Sequence, residues 1–463
     1  VVSSLALAGC AREARLAARA LLPAPTFRDG SPPSGEFLSP SERAVAAANG
    51  VPGPPRGPYL AHQPVQGFSS MVPAQGGTWW ALADNGYAWR PNSADFQLVI
   101  YRVDPRFGEA GGPAILETVV LRDPERHLAW TIACDPARGA PLPAFSFNAL
   151  PPVPPACGGD PDARILTGFD LDPESFVRAP DGSFWIGEEF GPFLVHVGAD
   201  GRVLEAPLAV AGVRSPQNPF LDIADRARTE RPTVAASRGF EGLAIAPDGT
   251  TLYALLEGAV AGDDPRDLRL YVFDAGRRAF AERSFTVRLG AASQQVDLSS
   301  LVDTAGAPVY PGVAAPPRGP AAIGEVKAVN ERQLLLIERD NHGDDLPPPR
   351  FKRVFLLDLP GTPGGVVRKT PLLDLLAIPD PDGVGAKDGR FGLPFYTIES
   401  VHVVDERTLL IASDNNFPFS NGRARSRSAD RSGPLAADAT EIVLVRLGTP
   451  LAADPRLLPS RVP

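Results

Sequence analysis

Residues 174–189 read E-S-F-V-R-A-P-D-G-S-F-W-I-G-E-E, two short apolar runs about Asp181-Gly182 with a carboxylate at each end. Asp-Gly between strand-like runs is a strong hairpin signal, and pairing the runs about that turn sets Glu174 opposite Glu189 at the open end. The arrangement recurs as Ser69 with Asp84 about Gly76-Gly77, Glu241 with Glu257 about Asp248-Gly249, Glu325 with Asp340, and Glu399 with Asp414 about residues 405–407. A repeat at a fixed internal spacing is a statement about architecture before it is one about any single residue.

The apolar runs at 79–82, 334–337 and 409–412 lack the alternation of a half-exposed strand and suit strands covered on both faces. Radially stacked sheets have that property, so the chain is expected to be an all-β propeller with loop insertions. Five hairpins are recognisable; about six blades are expected, one of them divergent. The 45 Gly and 52 Pro of the 463 residues read as turn punctuation in such a fold rather than as disorder.

If the open ends of the hairpins converge, the acids share a small volume. Two such charges about 4 Å apart repel by roughly 4 kcal/mol at an effective dielectric of 20, so the cluster requires protons or a counter-cation. Oxygen donors in an irregular ring suit Ca²⁺, with another divalent ion as the alternative. The candidate ligands are Asp84, Glu174, Glu188, Glu189, Glu241, Glu257, Glu325, Asp340, Glu399 and Asp414. Alternation sends Glu188 and Glu189 to opposite faces, so one of the two is expected to bond locally. Asp170 and Asp172 alternate with Glu174 and can extend the same face. No CxxC, HExxH or Cys/His zinc spacing occurs, which disfavours zinc.

A net charge of −9 without a basic stripe argues against a nucleic-acid partner. The Arg-Ser segment 423–431 reads as a solvated loop, with an anion-contacting lid as the alternative. Residues 7–10, L-A-G-C, match a lipobox, so 1–10 are read as the end of a lipoprotein signal peptide with Cys10 as the lipid attachment point. Residues 11–58 are expected to be helix followed by linker, 59–448 the propeller and 449–463 a tail. In an exported chain Cys134 and Cys157 would pair as a disulfide; in a cytoplasmic one they would be free thiols.

Several stretches carry a family resemblance: G-F-D-L-D-P-E-S-F-V-R-A-P-D-G-S-F-W-I-G-E-E-F-G-P-F from Gly168, S-R-G-F-E-G-L-A-I-A-P-D-G from Ser237, L-L-I-E-R-D-N from Leu335, and P-F-Y-T-I-E-S-V with S-D-N-N-F-P-F-S-N-G-R near the C-terminus. Together with P-V-Q-G-F-S-S and W-A-L-A-D-N-G-Y they make residues 63–447 resemble the esterase-like phytase family. The resemblance implies an exported protein acting on phosphoesters, with recurring Glu and Asp residues in the active centre. Gly324-Glu325-Val326-Lys327 departs from the pattern, which has an acid followed by an aromatic there, and so puts the fourth unit's contribution in doubt.

On this reading Glu189, Glu241 and Arg238 are the candidate catalytic residues. The remaining cations near the motifs, Arg178, Lys327, Arg339, Lys352 and Arg353, can grip phosphate or pair with acids, and His196, His342 and His402 read as structural. No G-x-S-x-G elbow supports a serine nucleophile. The expectation is a monomeric, lipid-anchored calcium-dependent phosphoesterase of the cell envelope, acting on a small-molecule substrate through a metal-activated water. The alternatives are a non-catalytic calcium-stabilised propeller that binds a ligand or protein partner, and a lactonase-like hydrolase.

Overall fold

Asp181 and Asp248 turn the chain as expected: Asp181 accepts from the Ser183 amide and Asp248 from the amides of Thr250 and Thr251, while Gly182 and Gly249 take φ of +91° and +75°. Those values lie where only glycine is unstrained. From these turns and their equivalents a computed structural model builds five antiparallel sheets; it describes residues 13–109, 111–135, 155–158, 160–221, 230–302, 306–317, 319–343, 348–427 and 433–459.

Each sheet starts with one of the five hairpins and adds strands outward. The first contains Phe68–Pro73, Trp79–Ala83, Val99–Asp104 and Ala114–Val120; the second, Pro173–Arg178, Phe184–Glu188, Phe193–Val197 and Leu208–Ala209. The third runs Phe240–Ile245, Thr251–Leu256 and Asp267–Asp274, with Ala279–Phe280 and Phe285–Arg288 both on the last; the fourth is Ala321–Ala328, Gln333–Asp340, Lys352–Asp358 and Arg368–Asp374. Ser400–Asp405, Thr408–Ala412 and Thr440–Arg446 make the fifth, whose outer strand is Arg15–Leu22 from the start of the chain. The five first strands pack side by side in chain order and the fifth returns to the first, so the ring is closed. The protein is therefore a propeller of five blades rather than about six. The long segments between hairpins form loops and one two-stranded sheet, Ile378–Pro379 with Arg390–Phe391, instead of a further blade.

Residues 11–58 are not helix and linker. The stretch R-L-A-A-R-A-L-L favours a helix by propensity, but pairing with Thr440–Arg446 overrides it. Leu16, Ala20 and Leu22 are buried, and Arg19 donates to both carboxylate oxygens of Glu441 at 3.0 and 2.8 Å. The helix is later, at Pro40–Ala48, where Ser39 and Glu42 form a capping box. The predicted tail also packs: Leu451 is buried and the Asp454 amide donates to Val329. Because the first strand completes the fifth sheet, Leu16→Ala should destabilise the protein by about 2–5 kcal/mol, measured by denaturant unfolding; an unchanged midpoint would mean that the sheet does not need it.

The strand interiors are buried on both faces, as in Thr251–Leu256 and Thr408–Ala412. The apolar cores lie between neighbouring sheets, with Trp185, Phe176 and Phe184 among the fully buried side chains. Cys134 and Cys157 are disulfide-bonded. Cys10 and the lipobox lie outside the described residues, as does the end of the Arg-Ser segment, whose start is the short helix Gly422–Arg425. Among the described residues no helix is long and apolar enough to cross a membrane.

Candidate metal centre

The hairpin register determines which side chains meet. In the first four blades the inner strand skips one residue against its partner: Phe68 pairs with Ala83 and Ser70 with Leu82, Pro173 with Glu188 and Ser175 with Gly187, Phe240 with Leu256 and Gly242 with Leu255, Ile323 with Glu338 and Glu325 with Ile337. The bulged residues are Ser69, Glu174, Glu241 and Gly324, and Glu399 stands at the same place just before the Ser400–Ala412 pair. A bulge re-aims a side chain at a strand end, here toward the axis. One step beyond the residue that faces the bulge on the second strand lie Asp84, Glu189, Glu257 and Arg339, and Asp414 takes the equivalent place two residues past Ala412. These two layers of five form the ring at one mouth of the channel.

The fourth unit is thus read one residue out of register in the sequence. Its ring positions are Gly324 and Arg339, not Glu325 and Asp340, and a one-residue slip exchanges the faces of a strand. A Cβ on Gly324 would stand 2.0 Å from the Ile398 carbonyl oxygen, so no acid fits there. Glu325 lies deeper in the channel, bonded to Ser70, the Leu243 amide and the Lys327 ammonium at 2.7 Å. Lys327 also donates to Ser70 Oγ and the carbonyls of Phe176 and Leu243, closing the channel below the ring. Asp340 accepts from the amides of Arg350 and Phe351 and pairs with Lys352 at 3.1 Å. Glu188 accepts from the Phe190 and Gly191 amides at 2.9 and 2.7 Å, so it is the local member of its pair. Glu188, Glu325 and Asp340 therefore do not join the ring. Asp170 is likewise spent on the amides of Ala133 and Thr167.

Asp84, Glu174, Glu189, Glu241, Glu257, Glu399 and Asp414 do come together, joined by Asp172, which repels Asp84 and shares a hydrogen bond with Glu174. Donor oxygens of Asp172, Glu174 and Glu189 lie within 4.8 Å of one another, and so do those of Glu189, Glu241 and Glu257. Glu189 belongs to both sets. The two halves differ in compensation. Arg339 Nη2 reaches Glu399, Glu257 and Glu241 at 3.1, 3.3 and 3.4 Å, and Arg238 pairs with Glu257. Among the described residues Asp172, Glu174 and Glu189 have no basic group within ion-pair distance, and Asp172 Oδ1, Glu189 Oε1 and the hydroxyl of Ser69 are buried without a hydrogen-bond partner.

Burial, then mutual repulsion, raises the acids. Burial and Asp84 push Asp172 up to about 7, and burial lifts Asp84 to about 6. Burial takes Glu399 to about 8 against the pull of Arg339, while burial and the neighbouring carboxylates hold Glu174, Glu189, Glu241 and Asp414 well above the ordinary range. Burial lowers the Arg238 and Arg339 guanidiniums, but the carboxylates around them outweigh it and both rise. A region that holds protons this tightly is one in which a divalent cation has strong electrostatic reason to bind.

The sequence named Asp172 only as an extension of the face and missed Arg90. Arg90 lies over the rings of Phe169 and Phe190 at 4.5 and 5.0 Å and donates to the carbonyls of Phe169 and Gln217, bracing the loops that carry Asp172 and Glu189. No spacing signals it. Of the other predicted cations, Lys352 and Arg353 face Asp340 and Asp374, and Arg178 lines a 450 Å³ pocket at the opposite mouth together with His402. His196 stacks on Trp185 between Ser183 and Glu205, and His342 is beside Asp340.

Comparison with known proteins bears on this ring. The chain is 27% identical over 236 residues to an uncharacterized secreted protein of Arthroderma benhamiae (strain ATCC MYA-4681 / CBS 112371), covering 42% of this chain and 45% of that one, so it spans less than half the length of that relative. Among solved structures, regucalcin from Agrobacterium tumefaciens, a calcium-binding protein, is 12% identical with a TM-score of 0.32 over 86% of this chain and 95% of its own. Virginiamycin B lyase from Staphylococcus aureus is 8% identical with a TM-score of 0.30 over 82% and 95%. Likenesses this distant carry no argument about chemistry. The family model for phytase-like proteins, described by the esterase-like activity of phytase, matches residues 63–417, which include every residue of the ring, and the chain belongs to that family.

Proposed function

We propose that the protein is a calcium-dependent phosphoester hydrolase whose metal is held by Asp172, Glu174 and Glu189. The observation that carries the reading is the half of the ring that forms no ion pair, where three carboxylates converge, two of their buried oxygens lack a hydrogen-bond partner, and Arg238 acts on Asp172 and Glu189 only from beyond contact. The donor set is all oxygen, irregular and anionic, which fits a hard cation that tolerates a variable shell. Bound there, Ca²⁺ would supply Lewis-acid neutralisation of a phosphoryl group and a lowered pKa for water.

The chain's own groups supply the rest. Arg238 keeps about a fifth of its side chain exposed, 21%, beside Glu189 and Glu257, where a guanidinium can bind phosphate oxygens and stabilise charge that develops in the transition state. Glu174 retains partial access to solvent, so a phosphoryl oxygen can reach an ion held there. Glu241 acts through Arg339 and orients the acids around Glu189. The Lys327–Glu325 pair shuts the channel beneath the ring, so substrate enters from one mouth.

The test is turnover of a phosphomonoester and a phosphodiester by chelator-treated protein with and without added calcium. Activity that appears only with the ion supports the proposal. A second reading, a non-catalytic calcium-stabilised binder, is favoured by the saturation of Arg339 with three carboxylates; it predicts a rise in melting temperature with calcium and no turnover on any phosphoester. Export fits the secreted relative, and we extend the proposal to a monomer tethered by lipid at Cys10, acting on a small molecule rather than a nucleic acid.

A further inference from the structure

Four of the five blades place an acid at the outer ring position, and the fourth places Arg339 there. We infer that Arg339 is a resident cation that fills the second of two adjoining cation positions and so limits the centre to one divalent ion. The inference rests on the reading of the ring as a metal centre and adds to it a stoichiometry and its cause.

The oxygens of Glu189, Glu241 and Glu257 converge as closely as those of Asp172, Glu174 and Glu189, all within 4.8 Å. Two such sets sharing one carboxylate are what a pair of bridged ions needs. In the second set, however, Arg339 Nη2 is already in contact with Glu241 and Glu257, and with Glu399 of the adjoining fifth blade, at 3.4, 3.3 and 3.1 Å. Its Nη1 is anchored to Asn341 at 2.9 Å, whereas its Nε is buried without a partner. A guanidinium with an unmet donor is positioned by the charge it neutralises rather than by a full set of its own hydrogen bonds. Asp172 Oδ1 and Ser69 Oγ, in the second and first blades, are buried without a hydrogen-bond partner, and Asp172 makes no ion pair among the described residues. Gly324 adds no acid to the same blade, since a Cβ there would meet the Ile398 carbonyl oxygen at 2.0 Å.

Calorimetric titration of the chelator-stripped full chain with calcium chloride tests the inference. The unmodified protein is expected to bind one ion, Arg339→Gln two, and Arg339→Lys, which keeps the charge, one. Arg339→Gln should also show the larger calcium-dependent rise in melting temperature, since it loses its internal counter-ion. If that variant folds only with calcium present, metal content after gel filtration replaces the titration, with two ions per chain expected. A single ion in Arg339→Gln, or two in the unmodified protein, overturns the inference and leaves the metal centre standing. No ion in the unmodified protein removes the metal reading itself.

Discussion

Glu189→Gln should remain folded and lose calcium-dependent phosphoester turnover by about a thousandfold, the scale seen when a group that stabilises the transition state is removed. Glu189 belongs to both convergent sets of oxygens, and one of its own is buried without a partner. The amide keeps the shape and removes the charge, so the first set loses an anionic donor while Arg238 and Arg339 keep their pairs with Glu257. The metal-free variant is therefore expected to melt at or above the temperature of the unmodified protein, because a carboxylate that repels Glu257 and Asp172 has gone. Calcium should then raise its melting temperature less. Lost turnover with retained stability separates a role in the site from a role in the fold; normal turnover would take Glu189 out of the chemistry.

The hairpin repeat was legible because its information is local. Asp181-Gly182 and Asp248-Gly249 dictate turns by backbone geometry, and the spacing of fifteen or sixteen residues carries the partner strand to the same end. The ring acids followed from that spacing at Asp84, Glu174, Glu189, Glu241, Glu257, Glu399 and Asp414. The fourth unit failed for a reason equally physical. An acid was available one residue along at both ends, Glu325 and Asp340, and spacing alone cannot distinguish two parallel choices; only the bulge against Glu338 does. The same spacing counted from Gly324 leads to Arg339, so the signal was present but had no carboxylate to mark it. The first strand failed differently: nothing within residues 15–22 announces that they pair with residues 440–446, and local propensity pointed to a helix. The sixth blade was expected from the long segments between hairpins, and these form loops and one short two-stranded sheet instead.

Stripped of divalent ions, the protein should lose stability as the pH rises from about 5 to about 8, and calcium should restore it most at the upper end. Asp84, Asp172 and Glu399 are raised by burial to about 6, 7 and 8, while an unfolded carboxyl titrates near 4. Each therefore binds its proton more tightly in the fold than out of it. The stabilisation this gives is complete below the unfolded value and is lost as the pH climbs through the folded one. A tenfold gain in proton affinity is worth about 1.4 kcal/mol, so even with the groups titrating together the loss is on the order of several kcal/mol. Burial also raises Glu188, Asp170 and Glu325, to about 8, 6 and 7, and these add to the slope without touching the ring. The portion that calcium reverses is what belongs to the centre, because the ion binds the ionised ring and holds the folded state by mass action. Melting temperatures measured across this range, with chelator and with calcium, give both portions. Asp172→Asn should shrink only the calcium-reversible one. A chelated protein whose melting temperature is flat between pH 5 and 8 would mean that the ring acids are not held protonated, and the electrostatic case for a cation there would fail with it.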